Sequence, residues 1–154
     1  MSRLKSCFET LGYSNVSTYI NSGNVIFESS NEDFSNIEPT LRETFGFEIR
    51  VVVRSGENIV SLAERIPSEW VNDDTQKTDI LFLWDEYDRA ENIDLIKRNP
   101  EVDRLVYIDS AIVWNISRSE YTGSKMEDFI GTNLYKHMTA RNVNTVRKLA
   151  ELMK

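Results

Sequence analysis

The feature that most constrains this chain is an order of local patterns that occurs twice. From Thr78 onward, short β-branched and aromatic runs alternate with apolar residues at helical spacing. Residues 80–84 read as a strand, and Ala90, Ile93 and Ile96 mark a helix. Residues 105–108 and 111–116 form a hairpin across Asp109-Ser110, and Met126, Phe129 and Ile130 mark a second helix. Residues 134–138 are read as the last strand, ahead of a C-terminal helix. The first third of the chain spells the same order without an opening strand. Leu4, Cys7, Phe8 and Leu11 give a helix closed by Gly12, and the β-rich runs 16–20 and 25–27 flank the turn signal Asn21-Ser22-Gly23-Asn24. Phe34, Ile37, Leu41 and Phe45 then share one helical face, Pro39 is tolerable only in that helix's first turn, Gly46 ends it, and 47–53 is a strand.

The order β-α-β-β-α-β is that of the ferredoxin-like plait. The expected fold is therefore α+β, with two plait subdomains in tandem and the first missing its opening strand. The expected boundaries are residues 1–56 for the incomplete subdomain, 57–76 for a connecting helix and polar joint, and 77–154 for the second subdomain with its terminal helix. In this topology the first strand lies between the third and fourth, so its absence leaves two strands without a neighbour. Unpaired backbone groups in a sheet are costly. Either the chain is truncated or another segment occupies the position.

Bulk properties narrow the class. At 154 residues the chain can bury a substantial core. No apolar run approaches the roughly 20 residues of a membrane span, so no membrane partner is expected. The single cysteine, Cys7, fits a reducing cytoplasm, and its apolar helical neighbours make it a core residue. One histidine and one cysteine exclude a structural zinc site. Residues 1–76 carry six Lys/Arg against twelve Asp/Glu, a net of −6, whereas residues 117–154 carry seven against four, a net of +3. An acidic body with one basic end is a poor nucleic-acid binder, because phosphate contacts dominate that affinity. It fits a small anionic ligand better.

The basic end concentrates the candidate site residues. Asn142 is a good helix cap, and Val143, Val146, Leu149, Ala150 and Met153 follow at helical spacing. A helix start leaves N–H groups unpaired and carries the positive end of the macrodipole, so an anion is well received there. The anion-binding set is Arg141, Asn142, Asn144, Thr145 and Lys148, converging with Ser124 and Lys125 on one pocket. The competing reading is a capped helix with a solvated basic face. Elsewhere the structural readings prevail. Ser22 has no base to orient it as a nucleophile, and His137 is read as a satisfied surface or edge histidine. Asp85, Glu86 and Asp88 match no cation-loop spacing. Trp84, Tyr107 and Trp114 fall on strands of the second subdomain and are expected to pack between the two subdomains.

The element order, together with Tyr19-Ile-Asn-Ser-Gly-Asn-Val25, Phe45-Gly46-Phe47, Val53-Arg54-Ser55, Ser124-Lys125 and the run 139–149, resembles a bacterial family, domain of unknown function sixteen-ninety-seven. The resemblance spans nearly the whole chain and implies two plait-type subdomains in tandem. It implies no activity, substrate or cofactor. Members of the family open with a strand and a glycine-rich turn of the type Leu-Arg-Gly-Ile-Asn-Val-Gly-Gly, and this chain begins beyond that point. Three functions are therefore expected in order: a non-catalytic module binding a small anion or nucleotide; an interaction or self-association module that completes its first sheet with a partner strand; and a group-transfer enzyme using Lys125 or Arg141, for which no paired general acid and base is present.

Overall fold

In the computed structural model, residues 2–20 and 23–154 are described, so Asn21 and Ser22 of the first expected turn lie outside the described residues. The chain is α+β and divides into two compact units, Met1–Val53 and Arg54–Lys154, each with its own antiparallel sheet. The helix expected as part of a joint over 57–76 belongs to the second unit.

In the first unit, α1 (Ser2–Thr10) is followed by β1 (Ser14–Tyr19), β2 (Asn24–Glu28) and α2 (Ile37–Phe45). β1 and β2 pair antiparallel, with an irregularity between Ser14 and Ser17. The apolar spacing in α1 and α2 does what its period requires: Cys7, Phe8, Ile37 and Leu41 are buried with Val16 in one cluster. Phe27 knits this cluster, with its ring 4.4 Å from Tyr13, 5.2 Å from Phe8 and 5.9 Å from Phe34. Gly46 stops α2 in the left-handed conformation at φ 81°, its N–H returning to the Arg42 carbonyl at 2.8 Å. Residues 48–55 then run without regular secondary structure, although a strand is expected over 47–53.

In the second unit, β3 (Gln76–Leu83), β4 (Arg104–Ile108), β5 (Ala111–Ser117) and β6 (Met138–Asn142) form one sheet in the order β4-β5-β3-β6, with every neighbouring pair antiparallel. Alternation divides the strands into two faces. Leu81, Leu83, Ile112, Trp114, Ile116 and Met138 pack against Ile96, Met126 and Phe129, the last two from the short helix α4 (Met126–Ile130). On the other side, α3 (Gly56–Arg65) and α5 (Val143–Met153) pack on one another, and α5 packs on β3. Every residue from Ile80 to Leu83 and from Ala111 to Ile116 is buried.

Two further elements differ from expectation. The helix marked by Ala90, Ile93 and Ile96 is a 3-10 helix over Ala90–Leu95. Residues Leu134–His137 are a 3-10 helix too, and the last strand begins at Met138. Trp114 is also not between subdomains. It is fully buried in the second unit's own core, 5.5 Å from the Phe129 ring.

Candidate functional site

The expected anion-binding residues are not brought onto one face. Arg141 pairs across the ladder with Ile80, whereas Trp114 pairs with Asp79, the adjacent residue of β3, so the side chains of Arg141 and Trp114 leave opposite faces of the sheet. Ser124 stands on the Trp114 side, because its hydroxyl donates to Asp103 Oδ1 at 2.5 Å and the Trp114 indole N–H donates to the same oxygen at 3.0 Å.

Each of these residues also has a structural role. Asn142 caps α5, its Oδ1 accepting from the Thr145 N–H at 3.0 Å, as its position ahead of the apolar spacing implies. Asn144 Nδ2 donates to the Asn72 carbonyl at 3.0 Å, and Lys148 pairs with Glu151 at 3.4 Å on the same helix. Arg141 Nη1 donates to Thr139 Oγ1 at 3.0 Å and to the Ala140 carbonyl at 2.8 Å, and burial pulls its guanidinium below the ordinary arginine range. Lys125 donates its backbone N–H to Asp103 Oδ2 at 3.0 Å, and its ammonium lies 3.9 Å from Asp128. His137 is no simple edge histidine: it stacks on Tyr87 at 4.0 Å and 6°, and its Nδ1 is buried with no hydrogen-bond partner among the described residues.

Sequence reasoning missed the residue that organises the Ser124-Lys125 segment. Asp103 is 4% exposed and accepts from Asn99 N at 2.9 Å as well as from Trp114, Ser124 and Lys125. A lone aspartate ahead of a strand carries no signal of this role. It missed equally the clamp on the β4–β5 turn. Asp109 and Ser110 both hold positive φ, 46° and 70°. From α3, Asn58 Nδ2 donates to the Asp109 carbonyl at 2.9 Å, while Ser61 and Arg65 hold its carboxylate at 2.6 and 2.7 Å. The spacing Asn58, Ser61, Arg65 places all three on one side of the helix, and that was the available signal.

In the first unit one segment has the side-chain period of a strand without its ladder. Ile49, Val51 and Val53 alternate inward and pack against the cluster of Cys7, Phe8, Val16, Ile37 and Leu41, and Val25 and Phe27 of β2 pack against the same cluster. The side chains therefore have the period of a strand. Yet among the described residues β2 pairs only with β1, and 48–52 joins no ladder. The Val51 N–H donates instead to Glu38 Oε1 at 3.0 Å, and the same oxygen accepts from Arg50 Nε at 3.1 Å. Next to this segment, Phe47 is 62% exposed. A groove of about 390 Å³ between α1 and α2 is lined by Ser2, Arg3, Ser6, Cys7, Thr10, Thr40 and Thr44. Arg3 Nη2 donates to the Thr44 carbonyl at 2.7 Å and rides 4.8 Å above the Phe45 ring. Among the described residues, no group of three His, Cys, Asp or Glu side chains is placed to hold a metal ion, and no helix is long and apolar enough to cross a membrane.

The fold is similar to that of a solved structure, the conserved bacterial protein SP0830 from Streptococcus pneumoniae, at a TM-score of 0.79 and 24% identity, covering 100% of this chain and 88% of that one. No curated protein matches this chain. The family described as Protein of unknown function (DUF1697) matches residues 1–114, which take in the whole first unit and the second as far as Trp114. The chain belongs to that family.

Proposed function

We propose that this protein is a strand-accepting interaction module, whose first sheet is completed by an extended segment from another chain. The observation that carries the reading is the contrast between side chains and backbone over 48–52: the residues alternate into a core as a strand does, and no ladder runs along them. The second unit supplies the template. Its sheet order, β4-β5-β3-β6, is that of a plait, in which the first strand sits between the third and the fourth. There β3 occupies the central position and pairs with both β5 and β6. In the first unit, the hairpin β1–β2, helix α2 and the segment 48–53 follow one another as β4–β5, α4 and β6 do, and among the described residues β1 and β2 are the two strands of its sheet. On this reading the two units follow one plait scheme, with the centre of the first sheet taken by a partner strand. Addition of a strand to an exposed edge draws affinity from main-chain hydrogen bonds and specificity from alternate side chains.

Light scattering over a concentration series, paired with amide exchange, tests the reading. Exchange over 25–28 and 48–52 is expected to slow as the mass rises or as a strand-forming peptide is added. A monomer at every concentration with both segments already protected would contradict it. The anion-binding reading has no comparable support, because Ser124 and Arg141 belong to opposite faces of one sheet.

A further inference from the structure

We infer that the second unit carries a self-association surface of its own: the edge of β4 pairs antiparallel with β4 of a second copy, about a two-fold axis at Val106. The inference concerns the second unit alone and stands whether or not the first accepts a strand. Backbone geometry selects the groups on offer. The turn Asp109-Ser110 joins β4 to β5 with positive φ at both residues, and the hairpin closes on the hydrogen-bonded pair Ile108 and Ala111. Bonded and non-bonded pairs alternate from there, so Ile108, Val106 and Arg104 turn their N–H and C=O toward β5. Leu105 and Tyr107 turn theirs away, and among the described residues β4 has a ladder neighbour on the β5 side alone. Outward peptide groups of this kind are a template for a further strand. The sheet's opposite edge is treated differently. There the same alternation, carried across β5 and β3, turns Ala140 of β6 outward, and Arg141 Nη1 donates to the Ala140 carbonyl at 2.8 Å. A guanidinium covers one edge, and among the described residues the other has no such cover.

A second copy of β4 fits because the strand is complementary to itself. Antiparallel pairing about Val106 sets Leu105 against Tyr107 of the second copy, and Tyr107 against its Leu105, so the outward groups of each satisfy those of the other. The same pairs bring an aliphatic and an aromatic side chain together on the core side of the sheet, where both are partly buried. Arg104 falls opposite Ile108 of the second copy, one residue from its Asp109. Arg104 is exposed, and among the described residues its hydrogen bond runs from Nε to Asn115 Oδ1 at 2.9 Å, which leaves the terminal nitrogens for that carboxylate. Ser61 and Arg65 already hold Asp109, so the turn is fixed before association and little ordering cost remains. No like charges face one another within this ladder. A two-fold axis at Leu105 or Tyr107 would engage fewer of the strand's five residues.

The full chain and its variants Val106→Glu and Val106→Lys decide the matter, by sedimentation and amide exchange over a concentration series. In the wild type the mass is expected to approach that of two chains. Exchange at Leu105 and Tyr107 should slow with it, while Val106 and Ile108, bonded within the hairpin, are slow throughout. Each variant sets like charges face to face at a close, non-bonded pair and is expected to weaken association by about tenfold. An equimolar mixture of the two is expected to restore it. Protection of β3 reports that the variants are folded. Exchange at Leu105 and Tyr107 that ignores concentration would overturn the inference, as would variants that associate like the wild type. Weakening without recovery in the mixture would overturn the axis at Val106. Exchange over 25–28 and 48–52 reads the first unit separately, so strand acceptance there and β4 pairing succeed or fail independently.

Discussion

Asp103 shows how much one buried carboxylate can fix. Burial by itself would raise its pKa; the hydrogen bonds from Ser124, Lys125, Asn99 and Trp114 outweigh that and hold it below the usual carboxylate range. A folded-state pKa below the unfolded value means that the folded protein resists protonation. The stabilisation is complete above the unfolded pKa of about 3.9 and is lost as pH falls through the lower folded value. Asp103→Asn keeps the shape but turns an amide NH2 toward donors, so it is expected to cost about 1–3 kcal/mol at pH 7 in a denaturant titration. The gap between variant and wild type should narrow below about pH 4. The turn residues make a second case. Ser110 holds φ 70°, a conformation glycine adopts freely. Ser110→Gly should therefore raise stability by about 0.5 kcal/mol, measured as a shift of the denaturation midpoint. That turn was legible in the sequence because two short polar residues separated two apolar runs. Asp103 was not, since a hub that joins three separate segments, 99–103, Trp114 and 124–125, leaves no local pattern.

At the level of elements, periodicity located what was long and regular and misplaced what was short. The helices α1 and α2 and the β4–β5 hairpin follow from spacing that repeats over several residues. The last strand was displaced because Leu134 and Tyr135 looked strand-like, whereas the ladder uses Met138 to Asn142, with Met138 and Ala140 on the core side. Two inward residues in five are a weak signal. The shift leaves Arg141 one residue ahead of the Asn142 cap but makes it part of a ladder opposite Ile80, on the face of the sheet away from Ser124, and that is why the expected anion site dispersed. Asn142 was read correctly as a cap, because a cap needs only one side chain and the N–H three residues on. Asn142→Ala is expected to cost about 1 kcal/mol, with fraying of α5 visible as faster amide exchange in its first turn.

At the scale of the molecule, the two units differ in the size of sheet and core among the described residues. In Arg54–Lys154 the core cluster on one face and the packed helices α3 and α5 accompany four paired strands. The fragment 54–154 is therefore expected to fold cooperatively without the first unit, giving a sigmoidal denaturation and dispersed amide resonances. Met1–Val53 has five buried apolar residues at its centre and a sheet of two strands. A two-stranded sheet is marginal by itself, and a small core leaves little reserve against chain entropy. The mixed α+β class and the presence of two antiparallel sheets were legible in the sequence, because helical and strand periods alternate along it. The loss of regular pairing over 48–52 was not, since a ladder partner must be found in space. Amide exchange of the dilute full-length chain tests the account most directly. Residues 77–82 of β3 should be protected by orders of magnitude more than residues 24–28 and 48–52. Comparable slow exchange in all three segments would contradict an open first sheet.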